Sequence, residues 1–177
     1  MKLYTIRHGE TDWNVAHKAQ GRTDIELNQN GINQALMAKE NVQKLNVDFI
    51  ISSPLKRAAK TAEILADNKL NIIFDERLQE RSFGDIEGNK LDGIDFEKIY
   101  NTELNLSIMN IEPVNTMLER VNSFLTDIKA KYNNKTILVV AHGGVLRALN
   151  ACINGIPENK TIESQGYKNC EIREFNI

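Results

Sequence analysis

Ile137-Leu138-Val139-Val140-Ala141 is an unbroken apolar run that stops abruptly at His142-Gly143-Gly144. A strand with one wet face alternates apolar and polar residues. A run without alternation is buried on both faces, as in the middle of a parallel sheet covered by helices. Other segments agree with that placement. Lys2 to Ile6 and Val47 to Ile51 read as strands, and Asn71 to Phe74 as a shorter one. Between them lie amphipathic stripes: Ile32, Ala35, Leu36, Val42 and Leu45 after Gly31, and Ala58, Ala62 and Leu65 after Ser52-Ser53-Pro54. In the latter the sequence predicts a capping serine with Pro54 at the first helical position. Pro113 opens a stripe from Val114 through Met117, Val121 and Phe124 to Ile128, and Val145 to Ile153 forms another that ends near Gly155. Cys170 to Phe175 is expected as an edge or antiparallel last strand. Strands alternating with helices predict a three-layer α/β/α sandwich around a mostly parallel, doubly wound sheet.

With 177 residues, one core and one domain are expected, with a short cap-like excursion over about 85–112, where charges, asparagine and scattered apolar residues show no period. Lys plus Arg number 22 against 24 Asp plus Glu, a net charge of −2. No global positive field is available for nucleic acid or an anionic membrane, so any anion must be gripped locally. The longest apolar run is far below the ~20 residues that span a bilayer, and Met1 to Glu10 lacks a signal-like core, so a cytoplasmic protein is expected. Cys152 and Cys170 show no C-x-x-C spacing and read as reduced thiols.

Open α/β sheets bind ligands beyond the carboxyl ends of their strands. Here those ends deliver Arg7 and His8 from the first strand, Ser52, Ser53 and Arg57 from the second, Glu80 after the third, and His142 and Gly143 after the fourth. The chemistry points to a phosphoryl group. Guanidinium forks match phosphate oxygens and keep their charge, a helix N-terminus favours an anion beside Arg57, and Gly143-Gly144 lets backbone N–H groups come close. P-loop, G-x-S-x-G and C-x5-R strings are absent, as is an aspartate pair for Mg²⁺, while a neutral histidine can itself attack phosphorus. Two rival readings are weaker. A zinc site from His8, His17 and His142 lacks short ligand spacing, and a dinucleotide site lacks G-x-G-x-x-G. His17 reads as a surface residue, Trp13 as a packing wall, and Cys152 and Met117 as core.

Arg7-His8-Gly9-Glu10-Thr11 resembles the signature of the histidine phosphatase superfamily, the phosphoglycerate mutase-like proteins. Asn14, Gln20-Gly21, Ser52 through Ala58, Glu80 to Gly84, Glu87-Gly88 and Ala141 through Gly144 follow in the family order, so the resemblance spans about residues 3–150. It implies that His8 is the nucleophile that becomes phosphohistidine, with Glu80 as general acid/base. It also implies that Arg7, Asn14, Arg57, His142 and the Gly143 N–H cradle the phosphoryl oxygens, that Gln20 and Gly21 close the leaving-group side, and that neither metal nor cofactor is required. Two places depart from the family pattern: Glu26-Leu27-Asn28 stands for Pro-Leu-Thr, with Asn28 still suited to a cap or turn, and Ile111-Glu112-Pro113 for Gly-Glu-Ser. Within the family a phosphatase of small phosphomonoesters is expected, with α-ribazole phosphate, sugar phosphates and phosphoglycolate as candidates. The segment between Glu80 and His142 is only about sixty residues long and lacks the paired arginines usual in mutases. A 2,3-bisphosphoglycerate-dependent mutase and a non-catalytic phosphate-binding protein are the alternatives.

Overall fold

The computed structural model describes residues 1–162 and 166–177. Along the chain come β1 (Lys2–Arg7), α1 (Asp12–Val15), α2 (Gln29–Gln43), β2 (Phe49–Ser52), α3 (Lys56–Ala66), β3 (Ile72–Phe74), α4 (Phe96–Ile99), α5 (Val114–Lys131), β4 (Thr136–Ala141), α6 (Gly143–Asn154) and β5 (Ile172–Asn176). Short 3₁₀ turns occupy Glu76–Leu78 and Gly84–Ile86. The strands form one sheet in the order β3-β2-β4-β1-β5. The first four in that order run parallel, and β5 closes the β1 edge antiparallel.

The apolar run occupies the middle of the sheet, as its composition requires. Ile137, Val139 and Ala141 pack on one face with α5 and α6, Leu138 and Val140 on the other with α2 and α3, and all five are fully buried. This is the α/β/α layering that the alternation of elements predicts. Among the described residues no helix is long and apolar enough to cross a membrane.

Local chemistry explains the helix starts, and one of them differs from expectation. α2 begins at Gln29 because the Asn28 side chain accepts the Gly31 N–H at 2.8 Å. α3 begins at Lys56 with Leu55 at the cap, two residues later than the serine-proline pattern predicts. Ser53 makes the expected local bond, its hydroxyl accepting the Leu55 N–H at 3.3 Å while also lying 2.8 Å from His142 Nε2. The N–H of Lys56, where the helix proper begins, is accepted from a distant loop by Asp24 at 2.7 Å.

Gly31 sits where the loop after β1 crosses the start of α2. A Cβ there would overlap the Glu10 carbonyl oxygen, and one on Gly9 would overlap the Gly31 carbonyl. Neither obstacle is a side chain that can swing away. Gly31→Ala is therefore expected to destabilise the fold by about 1–3 kcal/mol through overpacking, read as a lower urea midpoint with an unchanged m-value.

The 85–112 stretch carries only the 84–86 turn and α4 as regular elements, yet it is anchored. The fully buried Arg81 donates through Nε to Glu112 O (2.7 Å) and through Nη1 to Ile99 O (2.6 Å). Ile86, Ile99, Tyr100 and Ile111 join the core on the α5 and α6 face.

Candidate active site

β1 and β4 are neighbours with Arg7 opposite Ala141, so the residues that follow them emerge side by side. From there the chain leaves β1 toward α2 on one face and leaves β4 into α6 on the other. This is the topological switch point at which open α/β sheets place ligands. β2, on the far side of β4, adds Ser52 and Ser53.

His8 and His142 are buried with ring centroids 5.1 Å apart. His8 Nδ1 lies 2.6 Å from Gly9 O. A carbonyl only accepts, so Nδ1 carries the proton and Nε2 presents its lone pair. Burial, then the charges of Arg57 and Arg7, hold the His8 pKa well below the ordinary imidazole value, so the ring is neutral at pH 7. His142 is pushed the same way by burial, then by Arg57, His8 and Arg7. Its Nε2 faces Ser53 Oγ, and its Nδ1 is buried with no partner among the described residues.

Other buried polar atoms without a partner gather at the same place. They include Nε of Arg7, Nε of Arg57 and Oε1 of Gln20, and with His142 Nδ1 all four belong to residues singled out from the sequence. Of these, the Nε–H groups of Arg7 and Arg57 are donors, and unsatisfied buried donors beside one cavity are costly when it is empty and suit an anion. Burial lowers the Arg57 pKa to about 10, which leaves the guanidinium charged at neutral pH. The two arginines are less free than a bare fork. Arg7 Nη1 donates to Tyr167 O at 2.7 Å, and Arg57 donates through Nη1 to Thr23 O (2.9 Å) and through Nη2 to Gly21 O (2.7 Å). Arg57 thus holds the 21–23 loop as well as facing the site. Asn14 commits its Oδ1 to Thr11 N–H (3.0 Å) and Thr11 Oγ1 (3.1 Å), which leaves its amide N–H groups as the end available to a ligand.

Glu80 lies at the start of α6. Its Oε1 accepts the N–H of Arg81 (2.8 Å) and of Val145 (3.2 Å), and its Oε2 accepts that of Gly144 (3.0 Å). Two of the first three N–H groups of the helix are therefore spent on the carboxylate, and the Gly143 N–H is the one left for a ligand. The approach is tight, since a Cβ on Gly144 would stand 2.5 Å from Glu80 Oε1.

Arg7, His8, Asn14, Gln20, Gly21, Arg57, Glu80 and Gly143 all line one cavity of about 260 Å³. His142 stands behind it against His8. His17 lies exposed after α1, away from this group, and no cluster of three or more His, Cys, Asp or Glu side chains suited to a metal occurs among the described residues. Trp13 packs against Gly88 as a wall beside the loop. Cys152 lies on α6, partly buried against the α5 and α6 core, and Met117 is fully buried.

The sequence reading missed the far wall of the cavity, which is formed by Lys18, Phe83, Leu91, Phe96, Tyr100 and Arg147 with Tyr167. Arg147 had a signal, because it falls four residues after Gly143 and so on the same helix face. The aromatic wall had none, because the 85–112 segment has no period.

A doubly wound sheet with two neutral histidines, two arginines and a carboxylate at its switch point defines an enzyme that handles phosphoryl groups. The sequence model of the histidine phosphatase superfamily (branch 1) matches residues 3–177, and the chain belongs to that family. Its site is accordingly that of a histidine phosphatase. A Bacillus subtilis protein described as uncharacterized phosphatase PhoE is 40% identical over 85% of this chain and 76% of its own. The probable phosphoglycerate mutase GpmB of Erwinia tasmaniensis is 33% identical over 97% of this chain and 83% of its own. A solved mycobacterial glucosyl-3-phosphoglycerate phosphatase superposes with a TM-score of 0.88 at 27% identity, covering 98% of this chain and 90% of that one.

Proposed function

We propose that the protein hydrolyses a small phosphomonoester through a phosphohistidine formed at His8 Nε2, with Glu80 as general acid and then general base. The observation that carries this reading is the 2.6 Å contact of His8 Nδ1 with Gly9 O, which sets Nε2 as a lone-pair donor inside a cluster of unsatisfied N–H groups. In the first step Nε2 bonds to phosphorus as the ester P–O bond breaks, and the Glu80 proton passes to the leaving oxygen. In the second step Glu80 takes a proton from water, the oxygen bonds to phosphorus, the N–P bond breaks, and phosphate departs. Arg7, Arg57, His142, the Asn14 amide and the Gly143 N–H hold the equatorial oxygens, with their charge worth most in the transition state.

The far wall bears on the leaving group. Lys18 and Arg147 add positive charge there, while Leu91, Phe96 and Tyr100 from the 85–112 segment are uncharged at neutral pH. Short acidic leaving groups suit this wall, which favours phosphoglycolate among the candidate substrates. Of the cations between Glu80 and His142 that could serve a bisphosphate, Arg81 is turned inward onto Glu112 O and Ile99 O, and neither Lys90 nor Lys98 lines the cavity. This supports hydrolysis over mutase action.

Phosphate release from a panel of phosphomonoesters, with and without 2,3-bisphosphoglycerate, tests the reading. Release that does not need the bisphosphate is expected. Isomerisation of phosphoglycerate dependent on it would establish a mutase, and no turnover at all a binding protein. Side chains already fill the roles of nucleophile and charge clamp, so activity is expected to survive EDTA; loss restored by Mg²⁺ or Zn²⁺ would overturn the mechanism.

A further inference from the structure

Glu87 belongs neither to the phosphate cradle nor to the acid–base pair, yet its carboxylate gathers donors from two segments. Oε1 accepts the N–H of Arg22 (3.0 Å) and of Phe83 (2.9 Å), and Oε2 accepts the N–H (2.9 Å) and the hydroxyl (2.6 Å) of Thr23. Burial on its own raises this carboxyl's pKa, but the Thr23 hydroxyl and the N–H groups of Arg22, Phe83 and Thr23 outweigh it and hold the group below its ordinary value, as a carboxylate.

The loop that these donors come from is the one next to Gln20. Its carbonyls at Gly21 and Thr23 are held from below by Arg57, and its N–H groups at Arg22 and Thr23 are held from the other side by Glu87. Gly21 is left-handed, with φ of 52°, and a Cβ there would run into the Glu87 carboxylate, so the loop is drawn tight against that acid. Gln20 and Gly21 line the cavity at the start of this loop. These two anchors grip the loop's backbone, the Arg22 side chain adds ties to Glu80 O (3.3 Å) and Glu112 (3.2 Å), and together they set the distance of Gln20 and Gly21 from a phosphoryl group on His8.

We propose that Glu87 is a positioning residue that fixes the Gln20-Gly21 edge of the pocket against the Arg57 cradle and so determines which leaving groups the site accepts. The proposal rests on the reading above that Gln20 and Gly21 face the leaving group.

Glu87→Gln tests it, because Oε1 serves three donors, with the Ser82 hydroxyl at 3.5 Å as the third, and Oε2 serves two, so the amide nitrogen would face backbone N–H donors whichever way it turns. Backbone hydrogen exchange at Arg22 and Thr23 is expected to quicken at least about tenfold as the loop is released. The kcat/KM for phosphoglycolate should drop by about tenfold to a hundredfold, the penalty typical of a small misplacement at a reacting centre. Nitrophenyl phosphate, whose leaving group needs little positioning, should lose less than about threefold, and vanadate should bind within about threefold of wild type. Unchanged exchange at Arg22 and Thr23 would overturn the proposal. So would equal losses with both esters, which would mean general damage to the cradle.

Thr23→Val removes only the hydroxyl donor and guards against a variant that fails to fold; the same selectivity, at about threefold, is expected. Loss of that selectivity in a folded Thr23→Val protein would count against Glu87. If wild type releases phosphate from no ester, the catalytic reading fails, while the exchange and vanadate measurements still decide whether Glu87 holds the loop.

Discussion

Replacing His8 with alanine should reduce phosphate release on the order of 10⁴-fold or more, the scale seen when a covalent nucleophile is removed and only binding groups remain. Brief incubation with a labelled phosphomonoester and a denaturing alkaline quench, in which the acid-labile N–P bond survives, should trap label on wild type and none on the variant. The expectation is specific because the His8 side chain bonds to Gly9 O, next to it in the chain, whereas Arg7 and Arg57 keep their own anchors on Tyr167 O, Gly21 O and Thr23 O. Vanadate should therefore still bind to the variant. Label retained on His8→Ala would remove His8 from the mechanism. The same environment predicts the pH profile. Burial and two guanidinium groups favour the neutral ring, so His8 takes up a proton only at a pH well below its ordinary value. The acid limb of kcat/KM assigned to this histidine should accordingly lie well below pH 6.5; a half-maximal point at or above pH 6.5 would contradict the burial argument.

Glu80→Gln should separate substrates by their leaving groups. An alkoxide leaves poorly unless it is protonated in the transition state, so alkyl phosphates should lose about 10²–10⁴-fold in kcat. Nitrophenolate leaves unaided, and its ester should lose under about tenfold. An equal loss with both would mean that Glu80 shapes the site without moving a proton. The amide also creates a mismatch, because both carboxylate oxygens receive backbone N–H groups, from Arg81 and Val145 on one and Gly144 on the other. A stability loss of about 1–3 kcal/mol is expected alongside, and a urea titration measures it separately from catalysis.

That the residues of the proposed phosphate cradle meet at one place was legible in the chain, because it follows directly from strand ends. Arg7-His8 and His142-Gly143 succeed recognisable strands, and parallel strands end at the same side of a sheet. The start of α3 was misread for an instructive reason. Ser53 does accept the Leu55 N–H, but regular helix begins only at Lys56, whose N–H is accepted by Asp24 from another loop. The same hydroxyl is shared with His142, a partner 89 residues distant in sequence. Arg81 is fully buried and ties Glu112 and Ile99 together. Nothing in its neighbours along the chain signals that, since its acceptors are backbone carbonyls far away in sequence.

The amino-acid sequence by itself determined the central strand, the order of strands and helices, the family, and the residues that meet at the sheet's edge, because each of these follows from short-range pattern and motif. Only the tertiary structure decided how those residues are set to work. It places the proton of His8 on Nδ1, spends the terminal nitrogens of Arg57 on loop carbonyls, seats Glu80 on the first N–H groups of α6, and builds the far wall from Lys18, Arg147 and the aperiodic 85–112 segment. The reason is physical: protonation, desolvation and hydrogen-bond allegiance depend on what lies within about 3 Å in space, and at this site those neighbours come from opposite ends of the chain.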